Sequence, residues 1–510
     1  MNAADLQLGE DALARHGDRV ALLCGDESVT YRDLAGRVAR SAAALAALGI
    51  RPGDRILLLM RDTPEFAAAW LGAVRAGAAA IALNTKLSED EFRHIRDDSG
   101  ARLAIVEDLF AAARPDLAAE QAGAGQLVVA GATVPSGAHD WRAAVARSVP
   151  QAAYDARPDW PAFWLYSSGT TGKPKGIVHT HTSVTVSGEA LHLLGIKAGA
   201  KIFTTSKYFF AYGLEHGLLG PLAVGATGIA LADWAEPEGA IAAVARHRPA
   251  AMFSVPSFYR RLLGEPAGRL EPMRAVRHFV AAGERLPQPV IDQWKATLGH
   301  GILSLYGNSE AYCACLMMPP GADSRGRTGL PLPRTEVRLR DAEGLEARDG
   351  EPGVLWLRHP ALAAGYVNRP EQTLAQFEDG WYCTKDLFIR DAEGFYIHQG
   401  RSDELVKIAG QWVQPGELEE TVTAEASVAD AACVAVTDAE GFQRLALFVT
   451  DRGDPSGALQ AAGRACEERL PRHKRPKWIR NVAELPRTST GKVQRFKLRE
   501  LLERELAARD

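Results

Sequence analysis

Residues 166–176 read Tyr166-Ser167-Ser168-Gly169-Thr170-Thr171-Gly172-Lys173-Pro174-Lys175-Gly176. Three glycines, two hydroxyl pairs and two lysines in eleven residues do not suit a core. They suit a loop that wraps amides, hydroxyls and ammonium groups around a polyphosphate. Ala162-Phe163-Trp164-Leu165 reads as a strand end before the loop, and Thr182 to Leu194 reads as a helix after it. Strand, glycine-rich loop, helix is the expected setting for a phosphate loop. A Walker A loop has four residues between its first glycine and its Gly-Lys pair, then Ser or Thr. Here two residues separate Gly169 from Gly172-Lys173, and Pro174 comes next, which argues against a P-loop nucleotidase. The competing reading is a plain surface loop rich in Ser, Gly and Lys.

Outward from this loop the chain alternates. Thr30 is placed to cap a helix whose stripe is Leu34, Val38, Leu45 and Leu48, with Asp33 in its first turn and Gly49 at its end. Arg55 to Met60 reads as a buried strand, Glu65 to Ala76 as a helix, and Ala78 to Leu83 as the next strand. Strand, helix, strand at this spacing predicts a crossover and a parallel sheet. The alternation recurs over 202–231 and 251–280. Near residue 400 the texture changes. Gly353 to Leu357 and Phe395 to His398 look like antiparallel strands, and Glu404 to Ala409 like a short hinge. A helix near Pro415, strands at 432–436 and 446–450 and a helix over 456–470 then form a small α+β unit.

At 510 residues the chain needs more than one core. A net charge of −4 gives no general attraction to nucleic acid or to anionic membrane. No apolar run approaches a membrane span, and the N-terminus lacks the basic-then-apolar order of a signal peptide. Six scattered cysteines, only Cys313 and Cys315 close together, suggest neither a zinc site nor a disulfide framework. A reduced, cytoplasmic protein is the expectation. His179-Thr180-His181 has no carboxylate partner at metal-site spacing and reads as loop structure.

Four further segments lie beyond the glycine-rich loop: Tyr306-Gly307-Asn308-Ser309-Glu310, Tyr382-Cys383-Thr384-Lys385-Asp386, Gly400-Arg401-Ser402-Asp403-Glu404 and Pro486-Arg487-Thr488-Ser489-Thr490-Gly491-Lys492. Taken in order, all five resemble the signatures of the adenylate-forming superfamily: acyl- and aryl-CoA ligases, peptide-synthetase adenylation domains and luciferases. The resemblance covers nearly the whole chain. It implies an α/β fold, with a large N-terminal domain over 1–402 of parallel and mixed sheets with flanking helices and a β-barrel-like subdomain. A small mobile α+β domain over 403–510 would come after it, with a hinge at Asp403.

The resemblance also implies a chemistry. A carboxylate attacks the α-phosphorus of ATP, and a thiol then displaces AMP. Ser167, Thr170, Thr171, Gly172 and Lys175 would meet the ATP phosphates, with Ser309 beside them, and Glu310 would hold magnesium. Gly283 and Glu284 would line the adenine, Tyr306 would offer a ring face for stacking with Gly307 beside it, Asp386 would hold the ribose and Arg401 would reach the ribose or its phosphate. Lys385 departs from the family's usual glycine. Lys492 would be the mobile cation of the first step, with Thr171 and Glu310 as its catalytic companions. Gly410 would flank the pantetheine arm of coenzyme A. The run Arg472-His473-Lys474-Arg475-Pro476-Lys477 would either meet coenzyme A phosphates or form a solvated face.

Lys207-Tyr208-Phe209-Phe210-Ala211-Tyr212-Gly213-Leu214 resembles the matching stretch of benzoate-CoA ligases. In that subfamily Ala211, Tyr212 and Gly213 would flank a flat ring, with Ala281 and Ala282 on another wall. Cys313 and Ala314 stand where benzoate ligases tend to carry His and a branched aliphatic. The smaller residues leave room for a ring substituent, which Glu215 or His216 would bond, so a hydroxy- or aminobenzoate is expected. Coenzyme A is the expected acceptor, and a carrier-protein thiol is the alternative. A monomer or homodimer is expected, in the degradation of aromatic acids.

Overall fold

The computed structural model describes residues 1–168, 173–312, 314–322, 324, 326–408, 411–438, 440–487 and 493–507. Strands Arg55–Leu59 and Ala79–Ala82 pair in parallel, joined by helix Pro64–Arg75, as the spacing predicts. Thr63 caps that helix by accepting from the Phe66 amide at 3.2 Å, and Pro64 starts it. The helix is buried almost all round because it lies between a sheet and the helix Tyr31–Ala47. In Tyr31–Ala47 the Thr30 hydroxyl accepts from the Asp33 amide at 3.1 Å, and Leu34, Val38 and Leu45 are the buried stripe.

Two large sheets result. The eight-stranded one runs Gly365–Tyr366, Pro174–Thr180, Pro161–Ser168, Ala79–Ala82, Arg55–Leu59, Leu103–Glu107, Leu127–Ala130, His139–Asp140. The nine-stranded one runs Leu330–Pro331, Ala314–Met317, Ile302–Gly307, His278–Ala281, Ala251–Ser254, Lys201–Thr204, Thr227–Ala230, Val20–Cys24, Glu27–Thr30. Where the sequence suggests a barrel-like subdomain, Glu336–Arg340, Pro352–Arg358, Trp381–Arg390 and Phe377–Glu378 lie side by side in a five-stranded sheet. Tyr396–Arg401 pairs with Trp381–Arg390 as its fifth member.

The setting of the glycine-rich loop is corrected. It joins Pro161–Ser168 to Pro174–Thr180 as an antiparallel hairpin, with Ser167 opposite Lys175. The β-branched Ile177, Val178 and Thr180 favour extension over helix. Helical turns start only at His181–Val186 and Glu189–Leu193, parted by Gly188 at φ +89°. The described residues after the loop therefore open into a strand and not a helix. The expected hinge segment is also more regular than its composition suggests. Ser402–Glu404 is a single 3-10 turn, and Val406–Ile408 pairs with Gln411–Val413 as a hairpin.

The chain divides into two compact units: 1–351 with 355–384 and 389–397, and 352–354 and 385–388 with 398–510. The continuous part of the second unit begins at His398, five residues before Asp403. Its sheet is Val428–Thr437, Gln443–Asp451 and Trp478–Asn481. Strict alternation gives that sheet two apolar faces. Cys433, Leu445, Leu447 and Val449 pack with Leu418, Val422, Ala458 and Ala462, whereas Val434, Val436, Ala446 and Phe448 pack with Leu498 and Leu502. Among the described residues no helix is long and apolar enough to cross a membrane.

Candidate active site

Strand Ile302–Gly307 ends in a tight turn that carries Glu310. The Asn308 side-chain oxygen accepts from the Ala311 amide at 2.8 Å, which closes the turn locally. Two distant groups pin its backbone. The Ser309 carbonyl accepts from Nε2 of His179 at 2.8 Å, and the Glu310 carbonyl from the Ala363 amide at 2.7 Å. A carbonyl cannot donate, so the His179 proton sits on Nε2 and Nδ1 accepts from Ser183 at 3.3 Å.

The Glu310 carboxylate is buried, and Oε1 accepts from Lys175 Nζ at 3.1 Å and from the Tyr366 hydroxyl at 2.8 Å. Lys175 also lies over the Tyr366 ring at 4.0 Å, and Tyr366 meets the Gln376 amide. Tyr366 has one proton to give, so Gln376 presents its N–H to that oxygen when the proton goes to Glu310. Burial alone pushes the Glu310 carboxyl up; the Lys175 ammonium and the Tyr366 hydroxyl outweigh it and hold it below the usual range. The site thus keeps one fixed anion beside Lys175, at the end of the glycine-rich loop.

The residues expected from the sequence to bind the acid converge in part. Tyr212 is joined by Phe253, Ala282 and Ala314 in one cluster, and its hydroxyl donates to the Ser254 and Val280 carbonyls at 3.3 and 3.2 Å. Ala281 packs in a different cluster with Met252 and Phe279, because neighbours on a strand face opposite ways. Ala211 leans on a third cluster that holds Tyr208 and Phe209. Gly213 is required by space, since a Cβ there would lie 2.1 Å from the Lys207 carbonyl oxygen. Lys207 itself is buried. Its ammonium lies 3.5 Å from Asp62 and donates to the carbonyls of Leu231, Ala232 and Asp233 at 2.6, 3.0 and 2.5 Å. Burial lifts the Asp62 carboxyl to about 6 despite that ammonium. Gly283 is left-handed, at φ +89°, and Glu284 accepts from the Ser257 amide at 3.3 Å at the start of Pro256–Leu263.

In the second unit Asp386 lies 3.3 Å from His398 Nε2 and 3.8 Å from Arg401. Arg401 also holds Asp403 through two contacts of 2.8 Å, and Ser402 donates to the Lys385 carbonyl at 2.9 Å. Burial alone would lower the Arg401 guanidinium; Asp403 and Asp386 overcome this and raise it. Lys385 takes φ +61°, the left-handed conformation that glycine adopts without strain. The basic run is largely committed to its own unit. Lys474 pairs with Glu417 at 2.6 Å, Lys477 with Asp438 at 2.9 Å, and Arg475 donates to the Leu470 carbonyl at 2.9 Å. Residues flanking the terminal lysine motif are drawn together by the Arg487–Val493 bridge and by Gln494 donating to the Pro486 carbonyl at 2.7 Å.

Thr170, Thr171, Gly172, Cys313, Gly410 and Lys492 lie outside the described residues. Sequence reasoning missed Tyr366, Gln376, Tyr312 and the Asp62–Lys207 pair. Tyr366 stands 56 residues from Glu310, at no spacing that pattern reading could use.

Residues 9–367 match the family described as AMP-binding enzyme, and 417–492 match the AMP-binding enzyme C-terminal domain. The chain belongs to the AMP-binding enzyme family. It is 41% identical to a 3-hydroxybenzoate--CoA/4-hydroxybenzoate--CoA ligase of Thauera aromatica, over 99% of this chain and 98% of that one. Among solved structures, the anthranilate CoA ligase AuaEII with anthranoyl-AMP superposes at a TM-score of 0.90, with 29% identity over 99% and 98% of the two chains. A benzoate CoA ligase from Burkholderia xenovorans LB400 gives 0.87, with 34% identity over 98% and 100%.

Proposed function

We propose that the chain is an ATP-dependent aryl-CoA ligase acting on a hydroxy- or amino-substituted benzoate. The carboxylate oxygen bonds to the α-phosphorus as the bond to pyrophosphate breaks, giving an aryl-adenylate. The coenzyme A thiolate then bonds to the acyl carbon and AMP leaves. One observation carries this reading above the rest: a buried carboxylate, Glu310, kept ionised by Lys175 and Tyr366 beside a loop made for phosphates. The names of the similar proteins support an aromatic acid, and the Tyr212–Ala282–Ala314 cluster suits a flat ring.

The difficulty of the first step is the approach of two anions, so fixed positive charge is what the site must supply. Glu310 fits magnesium, which takes one or two carboxylates and fills its shell with phosphate oxygens and water. Among the described residues no group of three His, Cys, Asp or Glu side chains offers a cage of its own. When bound, the ion would offset the phosphate charge. In this reading Ser167, Thr170, Thr171, Gly172 and Ser309 hold the phosphates, Asp386 and Arg401 hold the ribose, and Gly410 admits the thiol arm. Lys492 bridges carboxylate and α-phosphate.

The test separates the half-reactions. Lys492→Ala is expected to abolish benzoate-dependent ATP–pyrophosphate exchange while sparing thioester formation from supplied aryl-adenylate. Equal loss in both assays removes Lys492 from the first step. With the wild-type protein, a preference for medium-chain fatty acids overturns the aromatic assignment, and loading of a carrier protein without turnover of free coenzyme A overturns the acceptor.

A further inference from the structure

Glu215 and His216 open a π-helical turn, Glu215–Leu219, set between Ala211–Leu214 and Gly220–Val224. Such turns insert a residue into a helix and re-aim its neighbours, frequently at functional sites. Both side chains are buried, at 2% and 1% exposure, yet their circumstances differ. Glu215 is satisfied. Oε1 accepts from the Gly188 amide at 2.7 Å and Oε2 from the Tyr312 hydroxyl at 2.5 Å. That hydroxyl also meets Ser187 at 3.1 Å. The grip helps keep Tyr312 at φ +64°, a conformation non-glycine residues rarely hold.

His216 is not satisfied. Its ring stacks on Phe253 at 4.3 Å and 15°, and meets Tyr212 edge to face at 4.9 Å and 83°. Nδ1 is buried, with no hydrogen-bond partner among the described residues. Burial holds the imidazole far below its usual value, at about 3, so the ring is neutral, with one N–H donor and one bare acceptor. Leaving a buried polar atom unpaired is unfavourable. A phenylalanine would keep the stacking on Phe253 without that cost. A histidine here therefore points to a partner supplied from outside the chain. Tyr212 and Phe253 share their cluster with Ala282 and Ala314, the small residues assigned to the acid pocket.

Resting on the aryl-CoA ligase reading, we propose that His216 selects the substrate by hydrogen-bonding a hydroxyl or amino group on the benzoate ring. Glu215 cannot share that task, because both its oxygens are engaged; it is a positioning residue for the segment that leads to the pocket. No covalent change is involved. A phenol donates a hydrogen bond to the bare ring nitrogen or accepts one from the N–H, and an aniline does the same.

The experiment compares kcat/KM for thioester formation from hydroxybenzoates and methylbenzoates, with the group at the ortho, meta and para positions in turn. At one ring position the wild type is expected to favour hydroxyl over methyl by about tenfold or more. In His216→Phe that ratio falls toward unity while the methylbenzoate is still turned over. A ratio unaltered by the substitution at every position overturns the proposal. If wild type turns over no aromatic acid, the aryl-CoA ligase reading fails and this inference fails with it. Should His216→Phe not fold, calorimetric titration of wild type with each hydroxyl and methyl pair gives the same contrast, and equal Kd values overturn the proposal.

Discussion

Glu310 keeps its charge against its surroundings, and two side chains make that possible. Removing the hydroxyl in Tyr366→Phe takes away one hydrogen bond to a buried carboxylate, worth about 1–2 kcal/mol. The Glu310 pKa should rise toward its ordinary value. Because the ionised form is the active one on this reading, the acid limb of pyrophosphate exchange should move to higher pH, while the rate near neutrality, where the carboxylate stays ionised in both proteins, changes far less. An unmoved acid limb would show that Tyr366 does not hold the charge. Glu310 and Lys175 were legible because each stands in a short motif whose residue types suit only a few tasks. Tyr366 and Gln376 were not, since only the fold brings them to Glu310. Lys385 shows a third case. The sequence marks it as a departure from glycine, but only the backbone shows that lysine keeps glycine's left-handed conformation.

Among the elements, the parallel crossovers and the small α+β unit were legible because buried strands and capped helices leave periodic signals. The hairpin around the glycine-rich loop was misread as strand, loop and helix. A loop's composition says what it binds, whereas the β-branched residues after it decide whether the next element is strand or helix. The Ser402–Glu404 turn tests the proposed hinge. Asp403→Pro fixes φ at that residue and removes the partner of Arg401. Thioester formation is expected to fall by about tenfold or more, with pyrophosphate exchange within about twofold of wild type. Asp403→Ala, which loses the ion pair without stiffening the chain, should leave both rates closer together. Equal effects of the two substitutions would take the hinge away from this residue.

Across the whole molecule, three of the buried histidines contribute to how stability responds to acid. Burial, first of all, holds His179 and His181 at about 4 and His216 at about 3, from 6.5. As pH falls below 6.5 the unfolded chain takes up protons that the folded one refuses. Stability is therefore lost from pH 6.5 down to the folded values, with each group adding a slope of about 1.4 kcal/mol per pH unit. Asp62, raised to about 6, works in the opposite direction, so a comparison with a variant isolates one histidine. Urea midpoints measured from pH 7 to 5 should fall less steeply for His216→Phe than for wild type. Parallel slopes would show that His216 is protonated in the folded state. The Lys207 clamp bears on how such a protein changes over time. Its grip on three carbonyls and Asp62 anchors the start of the stretch that the proposed function gives to the acid. On the proposed reading, new ring preferences can be sampled at Tyr212 and His216 by single substitutions, while the backbone that displays them stays moored.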